Sequence, residues 1–132
     1  MRAVRSENGF IGSSLIAFGL AMLAIFASIH AALIFHGHQV VSAAAQDGLR
    51  TAQLNRDQPD SQSEALGEQA AQATLAISNG LTNQTVNIDR GDDTVQVVVS
   101  ARVSTALFTL FRDVTVTIEG PVERFYSEEE RQ

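Results

Sequence analysis

The stretch Phe10–Phe35, FIGSSLIAFGLAMLAIFASIHAALIF, holds no Asp, Glu, Lys or Arg. Wound as a helix at about 1.5 Å per residue it measures about 39 Å, more than the roughly 30 Å hydrocarbon core of a bilayer. A chain of 132 residues cannot surround such a helix with a core of its own. The stretch is therefore expected to span a membrane, and the rest of the chain is arranged by which side each end occupies.

The flanks supply an orientation. Arg2, Arg5 and Glu7 precede the apolar run, and after it no Lys or Arg occurs until Arg50. By the positive-inside rule the short N-terminal segment lies in the cytoplasm and the C-terminal part outside. A secretory signal peptide is the competing reading, with Ala43-Ala44-Ala45 as a small-residue cleavage site. The apolar run exceeds the 7–15 residues of a typical signal h-region and ends well before those alanines, which favours a retained span. Within the span Ser13, Ala17, Ala21, Ala24, Ser28 and Ala31 fall on one stripe. Small side chains in that pattern let a second helix approach closely. His30, His36 and His38 sit toward the outer end. His36 and His38 are two apart and so do not share a helix face, which makes packing or interfacial roles a better reading than metal ligation.

Composition narrows the function classes. The formal charge is −6 and the chain has no cysteine. From Val40 onward there are 14 Asp and Glu against 7 Arg, so this part alone carries −7. That balance disfavours nucleic acid, whose binding depends on cationic neutralisation of phosphates. Without cysteine there is no disulfide framework or thiolate zinc site. All three histidines lie at or beside the membrane, so a Ser/His/Asp or Cys/His centre cannot be assembled in the outer part. No glycine-rich phosphate loop appears. No catalytic residue, metal ligand or cofactor site is assigned.

The outer part reads as α+β. Val41, Ala44, Ala45, Gly48, Leu49 and Ala52 recur at helical spacing without a proline, with Gln46, Arg50 and Gln53 on the other side, so the membrane helix is expected to continue as a spine. Gly48 fits there if another backbone covers it closely. Residues 55–60, rich in polar residues and containing Pro59, end the spine. Ser61-x-x-Glu64 matches a capping box opening a second helix over about 62–78, with Leu66, Ala70, Ala73 and Ile77 as its buried stripe and Asn79-Gly80 as a left-handed C-cap. The period then changes to two. Val86 and Ile88, then Val95 to Val103, then Val114, Val116 and Ile118, mark three strands of an antiparallel sheet, each with one buried face. Residues 90–93 form the first hairpin turn. The second connection, 104–112, carries Leu107, Phe108, Leu110 and Phe111 and is expected as a short apolar helix or lid. Gly120-Pro121 is expected to break the third strand. The resulting division is a stub over 1–9, the membrane helix over 10–38, an extracytoplasmic domain over 39–126 and an acidic tail over 127–132.

Two short patterns read as backbone chemistry or chance. Arg90-Gly91-Asp92 spells a cell-adhesion tripeptide, but Gly and Asp are turn formers in their own right. Asn83-x-Thr85 matches a glycosylation acceptor, a pattern common by chance.

Taken together, the short basic start running into Glu7-Asn8-Gly9-Phe10, the Ala-rich segment Ser42–Ala52, the second Ala-rich helix and the closing phrase Val114–Phe125 resemble the TadE-like proteins of tight-adherence (Flp) pilus systems, especially the actinobacterial kind. The family's closing phrase, P-x-[DE]-R-[FY], has its counterpart in Pro121-Val122-Glu123-Arg124-Phe125. The resemblance covers nearly the full chain and is one of layout. It implies a pilus-assembly pseudopilin or minor pilin, working in the membrane lipid with other pilin-like subunits, an inner-membrane platform protein and a secretion ATPase. It also implies a prepilin-peptidase cut after a glycine with a Glu at the fifth position beyond. A cut after Gly9 makes Phe10 the first residue and Ser14 the fifth, and a cut after Gly12 puts Ala17 there. Neither is Glu, so a permanently anchored assembly factor stands beside the processed subunit. Outside this family, the layout also suits a single-pass binding or sensing module presenting its sheet or the 104–112 segment to a partner.

Overall fold

The computed structural model describes residues 7–54, 58–104 and 111–122. The chain runs α1 (Glu7–Leu54), α2 (Asp60–Ala76), β1 (Leu81–Arg90), β2 (Thr94–Ser104) and β3 (Phe111–Pro121). The three strands form one antiparallel meander in the order β1-β2-β3, and both helices cover one of its faces. This is the α+β layout the sequence implies.

Helix α1 is a single element of 48 residues, about 72 Å long, and it has two halves of different character. From Gly12 to Phe35 its side chains stand mostly in the open. From Gly37 onward Val41, Ala44, Ala45 and Ala52 are completely buried. The transition falls at Gly37, where an added Cβ would stand 2.5 Å from Val103 Cγ2. The C-terminal half is thus the spine of the domain, and its small residues set how closely the other layers lie.

Helix α2 packs on α1 through Ser63, Gly67, Ala71 and Leu75, spaced by four. This corrects the expected stripe of Leu66, Ala70, Ala73 and Ile77. Leu66 and Ala70 are only half-buried, Ala73 is exposed and Ile77 is 82% exposed. The reason lies in the partner surface. Ala44, Gly48 and Ala52 offer α1's smallest ridge, and a matching ridge of Ser, Gly and Ala brings the two backbones together where a Leu-led ridge would hold them apart. Thr74 Oγ1 donates to Asp47 Oδ2 across this contact at 2.7 Å.

Two helix-end expectations also change. Pro59 is the N-cap of α2 and no side chain caps it. Glu64, expected to reach back to Ser61, instead accepts the backbone N–H of Arg90 at 2.9 Å. At the other end Ile77 is in the right-handed region and its N–H still bonds within the helix. No described glycine has positive φ, so Asn79-Gly80 is not a left-handed cap. The left-handed residue is Asn83, φ 49°, placed where the β1–β2 pairing slips between Thr82 and Thr85. Asn tolerates that conformation better than most residues, and a bulge lets β1 extend back to Leu81, beyond the alternating Val86 and Ile88 that announced it.

The pairing aligns the inward residues in rows across the sheet. Ile88, Val97 and Ile118 form one, Val86, Val99 and Val116 the next, with Ala101 opposite Val114 further along. The core is correspondingly rich in valine, with Val95, Val97 and Val99 fully buried beside Leu75 and Val41. Strand β3 continues through Gly120 to Pro121, which pairs with Thr94. Gly120 does not break it. A Cβ there would stand 2.7 Å from Gln53 Nε2 and 3.1 Å from Leu49 Cδ2, so glycine makes room for α1, and Gln53 donates to the Pro121 carbonyl at 2.9 Å. Gln53, assigned to the outer side of the spine, is thereby a link to β3. Of the expected apolar connection 104–112, residues 105–110 lie outside the described residues, as does the tail 127–132. Ser104 and Phe111 pair with one another.

Candidate functional site

The surface that distinguishes this chain is the exposed half of α1. Ser13, Ala17, Ala21, Ala24 and Ser28 are all exposed, as are the large side chains around them, among them Leu15 at 66% and Leu23 at 66%. Among the described residues α1 is the one helix long and apolar enough to cross a membrane, and its apolar window is 0% buried. Carbonyls and amides are satisfied along the helix itself, which is what a lipid environment demands. Ser28 Oγ donates to the Ala24 carbonyl at 2.8 Å, so its hydroxyl is spent on its own helix and the stripe stays compatible with an apolar surround.

Helical periodicity relates this stripe to the domain. At about 100° per residue, Ser13 through Ser28 centre roughly 150° around the helix from the face on which Gly37, Val41, Ala44 and Gly48 meet the sheet and α2. A partner helix seated on the stripe therefore approaches from the side of α1 turned largely away from the domain's own layers.

Gly9 and Phe10, the candidate cleavage pair, lie inside α1, and so does Ser14, which is exposed. Of the histidines, His30 is half-buried, His36 and His38 are exposed, and His36 lines a cleft with Leu33, Ser78 and Leu81. Among the described residues no group of three or more His, Cys, Asp or Glu comes together as a metal site.

The open face of the sheet is polar. Arg102 Nε lies 2.7 Å from Asp113 Oδ1, and its Nη2 donates to Oδ2 at 3.2 Å. The hydrogen bond from the guanidinium holds the Asp113 carboxyl below the usual carboxylate range, against a smaller opposing effect of desolvation. Beside this pair the Ser100 and Thr115 hydroxyls lie 2.9 Å apart. These are cross-strand pairs on a solvated surface.

Arg90 is a structural residue that sequence reasoning misassigned. Its place in an RGD tripeptide suggests a turn residue, and Gly91 and Asp92 are in the turn, with the Gly91 N–H bonded to the Thr94 carbonyl at 2.9 Å. Arg90 itself ends β1 and turns inward. Only 6% of its side chain is exposed. Nη1 donates to the Ala52 carbonyl at 3.1 Å, and Nε stands 3.4 Å from Asp60. One guanidinium thus ties the end of α1 to the start of α2, while Glu64 holds Arg90's own backbone. The signal was available: Arg90 is two residues past inward-facing Ile88, hence on the core face.

The chain matches no family model, no curated protein and no solved structure.

Proposed function

We propose that this chain is a single-pass membrane subunit of a pilus-like assembly machine, a TadE-like assembly protein or minor pseudopilin that binds other pilin-like subunits through the N-terminal half of α1. The observation that carries the reading is the division of one continuous helix into an exposed apolar half and a half that is the spine of an α+β domain. A helix built this way can exchange lipid for neighbouring helices without disturbing the domain it supports. Small residues at Ala17, Ala21 and Ala24 favour that exchange, because association in lipid rests on close backbone approach and not on the hydrophobic effect. In this reading the N-terminal segment is cytoplasmic, the domain extracytoplasmic, and the platform protein and companion subunits are its partners.

Substituting Ala21→Phe or Ala24→Phe tests it. Each places a bulky ring on the stripe, far from the domain core. Recovery of the membrane complex and surface piliation should fall while the domain stays folded. Unchanged assembly in both variants removes the proposal. The intact mass of the protein from native membranes separates its two forms: loss of residues 1–9 or 1–12 identifies a processed subunit able to leave the membrane, and a full-length mass identifies an anchored assembly factor.

A further inference from the structure

The corner where α2 hands over to β1 sits beside the point at which α1 emerges from its apolar half. Leu33, His36 and Gly37 of α1 line an open cleft of about 260 Å³ together with Ile77, Ser78 and Ser104 among others. Ile77 is 82% exposed there and Leu33 38%, so two aliphatic side chains from different elements stand in the open at one level of the helix. Counting about 20 residues for the hydrocarbon core from Phe10 reaches roughly residue 30, which puts Leu33 and His36 in the zone of lipid headgroups.

Charge divides the domain along the same axis. From Ser78 through Ile88 the chain carries no charged residue. Arg102 and Arg112, with Asp113, are the charged residues near the cleft, by their pairing positions next to Val103 and Ser104. The opposite end carries Asp60, Asp89, Asp92, Asp93 and Glu119 around Arg90.

From this juxtaposition we propose that the domain lies on the bilayer through its Ile77–Leu81 corner, a second membrane contact beside the α1 span, with phospholipid as the ligand of the cleft. Ile77 and Leu33 enter the boundary between headgroups and acyl chains, to the shallow depth at which interfacial segments bury an apolar face. His36, Ser78, Asn79 and Ser104 offer hydrogen bonds to phosphate and glycerol oxygens. The acidic end then points away from a surface that is commonly anionic. Because α1 is one continuous helix with the domain, this contact sets how α1 sits in the bilayer and so which direction the Ala21 stripe presents to a partner helix. It rests on the reading of α1 as a span.

The chain has no native cysteine, so single-cysteine labelling is clean. Full-length protein carrying Ile77→Cys, with Leu20→Cys, Leu33→Cys, Asp92→Cys and Thr117→Cys as references, is labelled with an environment-sensitive fluorophore. Each is reconstituted in vesicles of phosphatidylcholine and phosphatidylglycerol with nitroxide-labelled lipid. The proposal predicts a blue-shifted label at position 77, quenched by the lipid nitroxide as at 33 and several-fold more than at 92 or 117. A label at 77 as open to aqueous iodide as that at 92, with position 20 shielded, overturns the second contact and leaves the span intact. If position 20 is itself open to iodide, the span fails and this contact falls with it. Ile77 is largely exposed, so its substitution spares the fold.

Discussion

Gly48 of α1 and Gly67 of α2 meet backbone to backbone: a Cβ on Gly67 would stand 2.8 Å from the Gly48 carbonyl oxygen, and one on Gly48 3.3 Å from that of Gly67. The two helices cross on these residues, and Ile88 closes the site from the sheet, 2.7 Å from the Gly67 Cβ position and 3.3 Å from that of Gly48. The asymmetry gives the first prediction. Gly67→Ala meets a backbone oxygen that cannot swing away. Overpacking of about 1–3 kcal/mol outweighs the roughly 1 kcal/mol that Ala gains in a helix, so the variant is less stable than the parent. Gly48→Ala needs only a few tenths of an ångström of adjustment and comes out near neutral. Urea unfolding of the full chain in mild detergent checks the order, and a Gly67→Ala as stable as Gly48→Ala contradicts the crossing.

The face by which α2 packs can be tested with two aliphatic residues two positions apart. Leu75 is fully buried and Ile77 is 82% exposed. Leu75→Ala should cost about 2–5 kcal/mol through lost burial and the cavity left behind. Ile77→Ala should change the same detergent-solubilised unfolding transition by less than about 0.5 kcal/mol. Equal losses would mean that the stripe of Leu66, Ala70, Ala73 and Ile77 faces the core after all.

Arg90 joins three elements, so its loss should exceed that of an ordinary surface arginine. Arg90→Ala removes a charged donor from the Ala52 carbonyl and should cost about 1.5–3 kcal/mol. Arg90→Lys recovers only part, since an ammonium cannot reach two partners as the planar guanidinium does. Glu64→Gln keeps an acceptor for the Arg90 N–H and should be milder than Glu64→Ala, which leaves that N–H unpaired. An Arg90→Ala protein with parental stability would show that the link is incidental.

The Arg102–Asp113 pair sets a pH dependence with a definite sign. The hydrogen bond from Arg102 depresses the Asp113 carboxyl in the folded state. Its contribution is therefore present above the unfolded carboxylate value, about 3.9, and is lost as the pH falls through the lower folded value. Asp113→Asn should melt slightly below the parent at neutral pH, and the two melting curves should converge in strong acid. The pair is exposed, so the gap is small. A gap that widens on acidification contradicts the assignment.

How much of this was legible in the sequence follows from where the information lies. The apolar run and the change of period from 3.6 to two are local signals, and they yielded the long helix, the second helix, the three strands and their inward valines. The face of α2 was not local. Leu66 and Ile77 look like core residues by hydropathy, but the partner surface of Ala44, Gly48 and Ala52 rewards small residues, and that choice is made by tertiary contact. Glu64 and Gly120 were misread for the same reason. Each fits a local rule, a capping box or a strand breaker, while its real partners, Arg90 and Gln53, lie far along the chain. The stripe at Ala21 was legible as a pattern, and its exposure is a matter of structure. What seats upon it is the proposal.

The most direct test is to delete this chain in the cell that produces it, restore it as parent, Ala24→Phe or Met22→Phe, and count surface pili. Met22 lies roughly 140° around the helix from the centre of the small-residue stripe, so a ring there points well away from the proposed partner. The account predicts that deletion abolishes or sharply reduces pili, that the parent and Met22→Phe restore them, and that Ala24→Phe, though present in the membrane at parental level, does not. Normal piliation without the chain, or full rescue by Ala24→Phe, would contradict it.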